Sequence, residues 1–125
     1  MAVEELLRFD PPIQKTRRTA VIDLELRGKT IKAGDLIAMC YASANRDPEQ
    51  FEEPDRLDIT RADNRHASFA QGIHYCLGAA LARMEGQIAI GTLLRRMPNL
   101  KLETEDLERN PSLVFWGWKA LPVLF

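Results

Sequence analysis

The hydrophobic pattern divides the chain into several short elements and one long one. Residues 2–9, AVEELLRF, read as a short helix. Asp10-Pro11-Pro12 stops it, because proline disfavours helical geometry in the residue before it. In TAVIDLEL, the residues Ala20, Ile22, Leu24 and Leu26 alternate with Val21, Asp23, Glu25 and Arg27, which predicts a half-buried strand. Gly28 marks a turn, Thr30-Ile31-Lys32 a short return strand, and Ala33-Gly34-Asp35 a second turn. Leu36 to Tyr41 is continuously apolar and predicts a strand covered on both faces.

From Ser43 to Ala67 the pattern is polar and irregular, and Pro48 and Pro54 exclude long regular elements. A loop of that length in a compact domain is usually functional or packed over something. Residues 77–97 predict the main helix, ended by Pro98 and Asn99. Leu100 to Glu103 and Ser112 to Phe125 read as terminal strands. The elements together give an α+β chain.

The main helix carries an anomaly. Ala79, Ala80, Leu81, Ala82, Met84, Ile88, Ala89, Ile90, Leu93 and Leu94 occupy nearly its whole circumference. A helix apolar all round belongs in the core of a large protein. The chain has 125 residues, enough for one core but too few to cover every face of such a helix. A partner, a large apolar ligand or further chain is expected to cover the rest.

Composition and charge narrow the function classes. Net charge is −1, so no global field recruits nucleic acid or an anionic membrane. MAVEELLRFDPP lacks the basic start and apolar run of a secretory signal, and Arg83 and Glu85 interrupt the longest apolar run. The two cysteines, Cys40 and Cys76, do not form a CxxC pair, so a disulfide framework and a structural zinc site are poorly supported. A reducing, cytoplasmic setting is the expectation.

Cys76 lies at or just before the first turn of the main helix, where unpaired N–H groups and the helix dipole favour an anion such as a thiolate. Alone, a cysteine is an ordinary small buried residue. Here Phe69, Gly72, His74, Cys76 and Gly78 fall within one short window, FAQGIHYCLG. Gly72 permits a tight bend before the cysteine, and Gly78 lets a flat or bulky group approach the backbone.

FAQGIHYCLG resembles the haem-binding loop of cytochromes P450, F-x-x-G-x-[HR]-x-C-x-G, and NRHASF and AALARMEG resemble its flanks. Glu5-Leu6-Leu7-Arg8 is similar to the family's E-x-x-R helix. Ala44-Asn45-Arg46-Asp47-Pro48 with Phe51, Pro54, Asp55 and Arg56 resembles the segment whose arginine completes a Glu-Arg-Arg triad. Gly117 to Val123 is close to the terminal strand pattern of bacterial members.

The resemblance implies that residues 1–125 form a single partial domain, the C-terminal, proximal portion of the P450 fold. It implies haem b with Cys76 as the axial thiolate, and Phe69 packed near the sulfur. His74 and Arg18 would pair with haem propionates, with Arg17 leaving the register of Arg18 open. Glu5, Arg8 and Arg56 would form a structural ion network under the loop. In the complete family protein a ferredoxin-type donor supplies electrons for oxygen-dependent oxidation of an organic substrate. The distal half, with its oxygen-activating helix and substrate pocket, is expected to lie outside this chain. Two alternatives stay open: a non-catalytic haem-binding module, and a haem-free chain that covers its exposed core as a homodimer. The family usually has glycine where this chain has Ala70; if that position needs positive φ, the alanine is strained.

Overall fold

The computed structural model describes residues 1–112 and 114–125. Helix α1 (Ala2–Phe9) opens the chain, followed by strands β1 (Lys15–Thr19), β2 (Leu24–Leu26), β3 (Lys29–Ile31) and β4 (Leu36–Cys40). A short helix α2 (Tyr41–Ala44) leads into the long irregular segment. A 3-10 turn (Gly72–His74) precedes the main helix α3 (Ala79–Arg96), and β5 (Lys101–Leu102) and β6 (Val123–Leu124) close the chain. The strands form three antiparallel pairs, β1 with β4, β2 with β3, and β5 with β6.

Several boundaries differ from the sequence expectation for identifiable reasons. The strand expected over residues 19–26 is broken: β1 ends at Thr19 and β2 starts at Leu24. Ala20 exchanges backbone hydrogen bonds with Gly34 and Asp35, and the Asp23 carboxylate accepts the Ala33 N–H at 2.8 Å and pairs with Lys32 at 2.7 Å. That side chain offers the backbone an alternative to the ladder. β4 is not covered on both faces: Leu36 and Met39, an odd number of positions apart and so on opposite faces, are both exposed. Tyr41, expected at the end of that strand, is buried at the start of α2. The terminal strands shrink to β5 and β6 plus the isolated bridges Ile13–Phe115 and Arg109–Trp118. Leu113, within the expected terminal strands, lies outside the described residues.

α1 packs against α3, and Gly86 permits their close approach: a Cβ there would lie 3.2 Å from the Val3 side chain. α3 itself is thinly covered. Ala79 is buried, whereas Leu81, Met84, Ile88, Leu93 and Leu94 are exposed. No helix among the described residues is long and apolar enough to cross a membrane.

The tightest burial is polar. Glu5, Arg8 and Asn45 have no exposed surface. Arg8 gives two 2.8 Å hydrogen bonds to the Glu5 carboxylate, from Nε and Nη2. Nη1 donates to the Asn45 and Pro54 carbonyls at 2.8 Å, and Nη2 to the Arg56 carbonyl at 3.1 Å. Every guanidinium N–H is thereby used. Glu5 also accepts the Asp58 N–H at 2.9 Å and Asn64 Nδ2 at 2.9 Å. The polar segment from Asn45 to Asn64 is therefore wrapped around one buried ion pair, with Phe51 buried beside it at 5.3 Å from the Arg8 guanidinium.

Removing Arg8 takes the bidentate partner from a buried carboxylate, leaving it Arg61 at 3.3 Å, and deprives the Asn45, Pro54 and Arg56 carbonyls of a donor. Arg8→Met is expected to cost about 3–5 kcal/mol, read from the urea midpoint of unfolding. Burial opposes the Glu5 charge, but the hydrogen bonds from Arg8, the Asp58 N–H and Arg61 outweigh it and bring its pKa down to about 2. A carboxyl whose folded pKa is depressed adds stability that is present above its unfolded pKa. That stability is lost as pH falls through the folded value. Unfolding free energy measured against pH should fall between roughly pH 4.5 and 2, and Glu5→Gln should flatten that fall.

Candidate functional site

Two supports descend from α1 onto the segment that leads to Cys76. The first continues the buried ion pair. Asn45, whose carbonyl is held by Arg8, receives the Ala67 N–H on its Oδ1 at 2.7 Å. Its Nδ2 donates to Ser68 Oγ at 2.8 Å, and that hydroxyl donates to the Leu7 carbonyl at 2.7 Å. The chain is thus fixed to α1 immediately before Phe69.

The second support starts from Glu4. Its carboxylate accepts Arg83 Nε, with oxygens at 2.8 and 3.0 Å, and His66 Nε2 at 3.1 Å. The Ser68 N–H donates to His66 Nδ1 at 3.2 Å, which leaves Nε2 as the nitrogen that donates to Glu4. Burial pushes the His66 pKa below its ordinary value against the pull of Glu4, so the ring is neutral at pH 7. Burial likewise opposes the Glu4 charge, but the hydrogen bonds from Arg83 and His66 prevail and lower its pKa. Those to Glu4 hold the Arg83 pKa above its ordinary value.

The loop itself is a sequence of tight turns. Phe69 is half-buried, with the Arg83 guanidinium 4.5 Å from its ring centroid and the His66 ring at 5.9 Å. Its carbonyl accepts the Cys76 N–H at 2.9 Å, which closes the loop. Ala70 has φ +58° and Gly72 φ +62°, so two positions of the left-handed region lie within the loop. The glycine adopts that region freely, whereas the alanine is strained there.

Cys76 is an exposed free thiol three residues before the first residue of α3, Ala79. Gly78 is the N-cap of α3, and a Cβ on it would lie 3.9 Å from Cys76 Sγ. Among the described residues, the N–H groups of Leu77 and Gly78 donate to no carbonyl or side chain. Unpaired donors at a helix start favour an anion. Ile73 (98%) and Leu77 (102%) are fully exposed on the same loop. An exposed thiol, unpaired N–H donors, a residue without a Cβ and two bare aliphatic side chains make a donor set that suits a large, flat, apolar group carrying a metal.

The other expected residues are placed less simply. His74 is exposed in the 3-10 turn. Arg18 lies on β1, donating to the Arg17 carbonyl at 2.8 Å and lying 3.5 Å from Thr16 Oγ1. Among the described residues the His74 side chain makes no hydrogen bond or ion pair, and none joins the Arg18 side chain to the Cys76 loop. Arg56 does not complete the ion network. Its guanidinium pairs with Glu53 at 2.8 Å on the surface, and it contributes only its carbonyl to Arg8. Arg61 takes that place: its side chain is 11% exposed, and Nε lies 3.3 Å from Glu5 Oε2. The turn at Glu53 (φ +44°) and the Glu53 pairing turn Arg56 outward. Sequence reasoning also missed Glu4, His66, Tyr75 and Arg83 as a group. Arg83 and His66 lie in the flanks of the loop motif, the one signal that could have marked them.

A family model described as Cytochrome P450 matches residues 1–116. The chain belongs to the cytochrome P450 family. It is 48% identical over 124 residues to the biotin biosynthesis cytochrome P450 of Bacillus subtilis (strain 168), covering 99% of this chain and 31% of that protein. It is 46% identical over 125 residues to the polyketide biosynthesis cytochrome P450 PksS of the same organism, covering 98% of this chain and 31% of that one. The crystal structure of P450BioI in complex with a hexadec-9Z-enoic acid ligated acyl carrier protein superposes with a TM-score of 0.95 at 48% identity, over 98% of this chain and 32% of that one. CYP109E1 from Bacillus megaterium in complex with testosterone gives 0.94 at 38% identity, over 98% of this chain and 34% of that one. The architecture is an α+β part of the P450 fold, and the chain spans about a third of the relatives' length.

The strain in the loop gives an opposed pair of variants. Ala70→Gly should stabilise by about 1 kcal/mol, because glycine carries no penalty at φ +58°. Gly72→Ala should destabilise by about 1–2 kcal/mol through the backbone alone, since a Cβ there meets nothing within 4 Å. Urea midpoints that move the same way would contradict the assigned conformations.

Proposed function

We propose that this chain is the haem-binding portion of a cytochrome P450 monooxygenase, with Cys76 as the residue that would ligate the iron of haem b through its sulfur. The observation that carries the reading is the exposed Cys76 thiol just ahead of α3, on a loop anchored to α1 from two sides. When bound, a haem with a thiolate ligand supplies oxygen activation, the anionic sulfur favouring O–O cleavage.

The chain's own residues do the rest of the work described here. Cys76 would hold the iron, and the N–H groups of Leu77 and Gly78, unpaired among the described residues, would be available to the ligated sulfur. Gly78 keeps the approach open, and Ile73 and Leu77 offer apolar surface to the ring. Phe69, held by Arg83 and His66, would limit solvent at the loop. His74, exposed in its turn, and Arg18 are the proposed propionate donors; charge-assisted hydrogen bonds are the strong ones available to such groups. Glu5, Arg8 and Arg61 have no chemical role; they hold the segment that holds the loop.

Substrate oxidation, electron delivery by a ferredoxin-type protein and a cytoplasmic setting are proposed for the complete protein. P450BioI has been crystallised with an acyl carrier protein bearing a fatty acid. By analogy with that relative, a carrier-protein partner is proposed for the complete protein.

The test is spectroscopic. The chain is mixed with haem, reduced and exposed to carbon monoxide. The red-shifted band of a thiolate-ligated haem is expected, and Cys76→Ser should abolish it while Cys40→Ser leaves it unchanged. A Cys76→Ser chain that keeps the band would overturn the ligand assignment.

A further inference from the structure

The Arg83 side chain does three things at once. Its Nε grips Glu4 on α1, its Nη1 donates to the Tyr75 hydroxyl at 2.8 Å, and its guanidinium lies over the Phe69 ring at 4.5 Å. Phe69 and Tyr75 are the two ends of the loop. Phe69 accepts the N–H of Cys76 on its carbonyl, and Tyr75 directly precedes Cys76 in the chain. Arg83 itself is in α3, the helix that begins just beyond the cysteine. One planar cation therefore touches the entry and the exit of the loop and anchors both to a second helix.

We infer that Arg83 is a positioning residue, whose contacts to Phe69, Tyr75 and Glu4 fix the Cys76 backbone in the conformation that presents its sulfur. The inference rests on the reading of Cys76 as the thiolate ligand, and it adds the residue that sets the ligand's geometry. Arginine is the residue type the arrangement requires. A flat guanidinium stacks on an aromatic face with one surface while its N–H edge donates to a carboxylate and a hydroxyl. Lysine offers a point charge with no plane to stack. The stacking and the Tyr75 bond act on opposite ends of the loop, so losing either lets the Cys76–Phe69 hydrogen bond open more often.

The α1 side of the clamp is braced independently. His66 donates to the same Glu4 carboxylate and packs its ring towards Phe69. Glu4 thus keeps one partner when Arg83 is replaced, and the neighbouring Glu5–Arg8 network does not include Arg83 at all. A conservative change at Arg83 should therefore loosen the loop and leave the buried ion pair in place.

The experiment measures amide hydrogen exchange on the haem-free chain and the reduced carbon monoxide spectrum on the haem-loaded chain, for Arg83→Gln and Tyr75→Phe. Loss of the loop contacts should speed exchange at the Cys76 N–H by roughly five- to tenfold. Exchange at the Asp58 N–H, which donates to Glu5, should stay unchanged. The same variants should lower the share of the thiolate band. Tyr75→Phe removes one hydroxyl and is the variant that keeps the fold if Arg83→Gln does not. Unchanged exchange at Cys76 in both variants overturns the inference. So does equal acceleration at Asp58 in both, which would mark general destabilisation. Should exchange respond as expected while Cys76→Ser leaves the haem spectrum unaltered, the ligand reading fails and the positioning of the loop by Arg83 stands supported.

Discussion

The structure depends on a single fully buried guanidinium. Arg8 spends every N–H it has on one carboxylate and three backbone carbonyls, those of Asn45, Pro54 and Arg56. A charge without access to water is tolerable only when it is paired and its remaining donors are met. That condition forces a long segment with almost no regular structure into one shape. The segment from Asn45 to Asn64 has few apolar residues to bury, and Phe51 alone among its large side chains is part of the core. Its shape is dictated by where carbonyls must stand to meet Arg8, which is why a polar, proline-interrupted stretch folds reproducibly at all.

Adjacent residues on α1 divide the task of holding the cysteine loop. Glu5 faces the Asn45–Asn64 segment, and Glu4 faces His66 and Arg83. Consecutive positions on a helix point about 100° apart, so one turn of α1 reaches two separate parts of the chain. The close approach of α1 to α3 at Gly86 sets the distance over which Arg83 can span. The loop is then pinned before Phe69 through Asn45 and Ser68, and across its ends through Arg83. What is left free is the cysteine side, with its exposed thiol, unpaired N–H groups and bare aliphatic residues.

Some of this was legible in the chain. The Glu5–Arg8 spacing, the glycines around Cys76 and the start of α3 follow from motif and helix rules. Strain at Ala70 follows if the position has positive φ, and its φ of +58° meets that condition. The choice of Arg61 over Arg56 was not legible. Both are arginines in the same irregular segment, and which one turns inward is decided by the turn at Glu53 and the local Glu53–Arg56 pair. Strand limits failed for a related reason. The Asp23 side chain competes for backbone donors, and hydrophobic alternation does not register such competition. The cluster of Glu4, His66, Tyr75 and Arg83 draws on four separate stretches, so no local pattern could assemble it.

The polar and apolar parts of the molecule differ in how complete they are. The hydrogen-bond networks around Glu4, Glu5 and Arg8 are built within this third of the relatives' length by residues of the chain itself, and among the buried side-chain atoms of the described residues Asn64 Oδ1 alone is left without a partner. The apolar surface of α3 does not close: Leu81, Met84, Ile88, Leu93 and Leu94 remain exposed. Hydrophobic burial is non-directional, so it can be supplied by any surface of suitable shape. Buried charges cannot be satisfied that way, because each needs a partner at a fixed distance and angle. Keeping all of those partners in one contiguous stretch makes the form of the cysteine loop a local property. The covering of α3 is a separate, non-directional requirement, and the ionic scaffold beneath holds the backbone that carries Cys76.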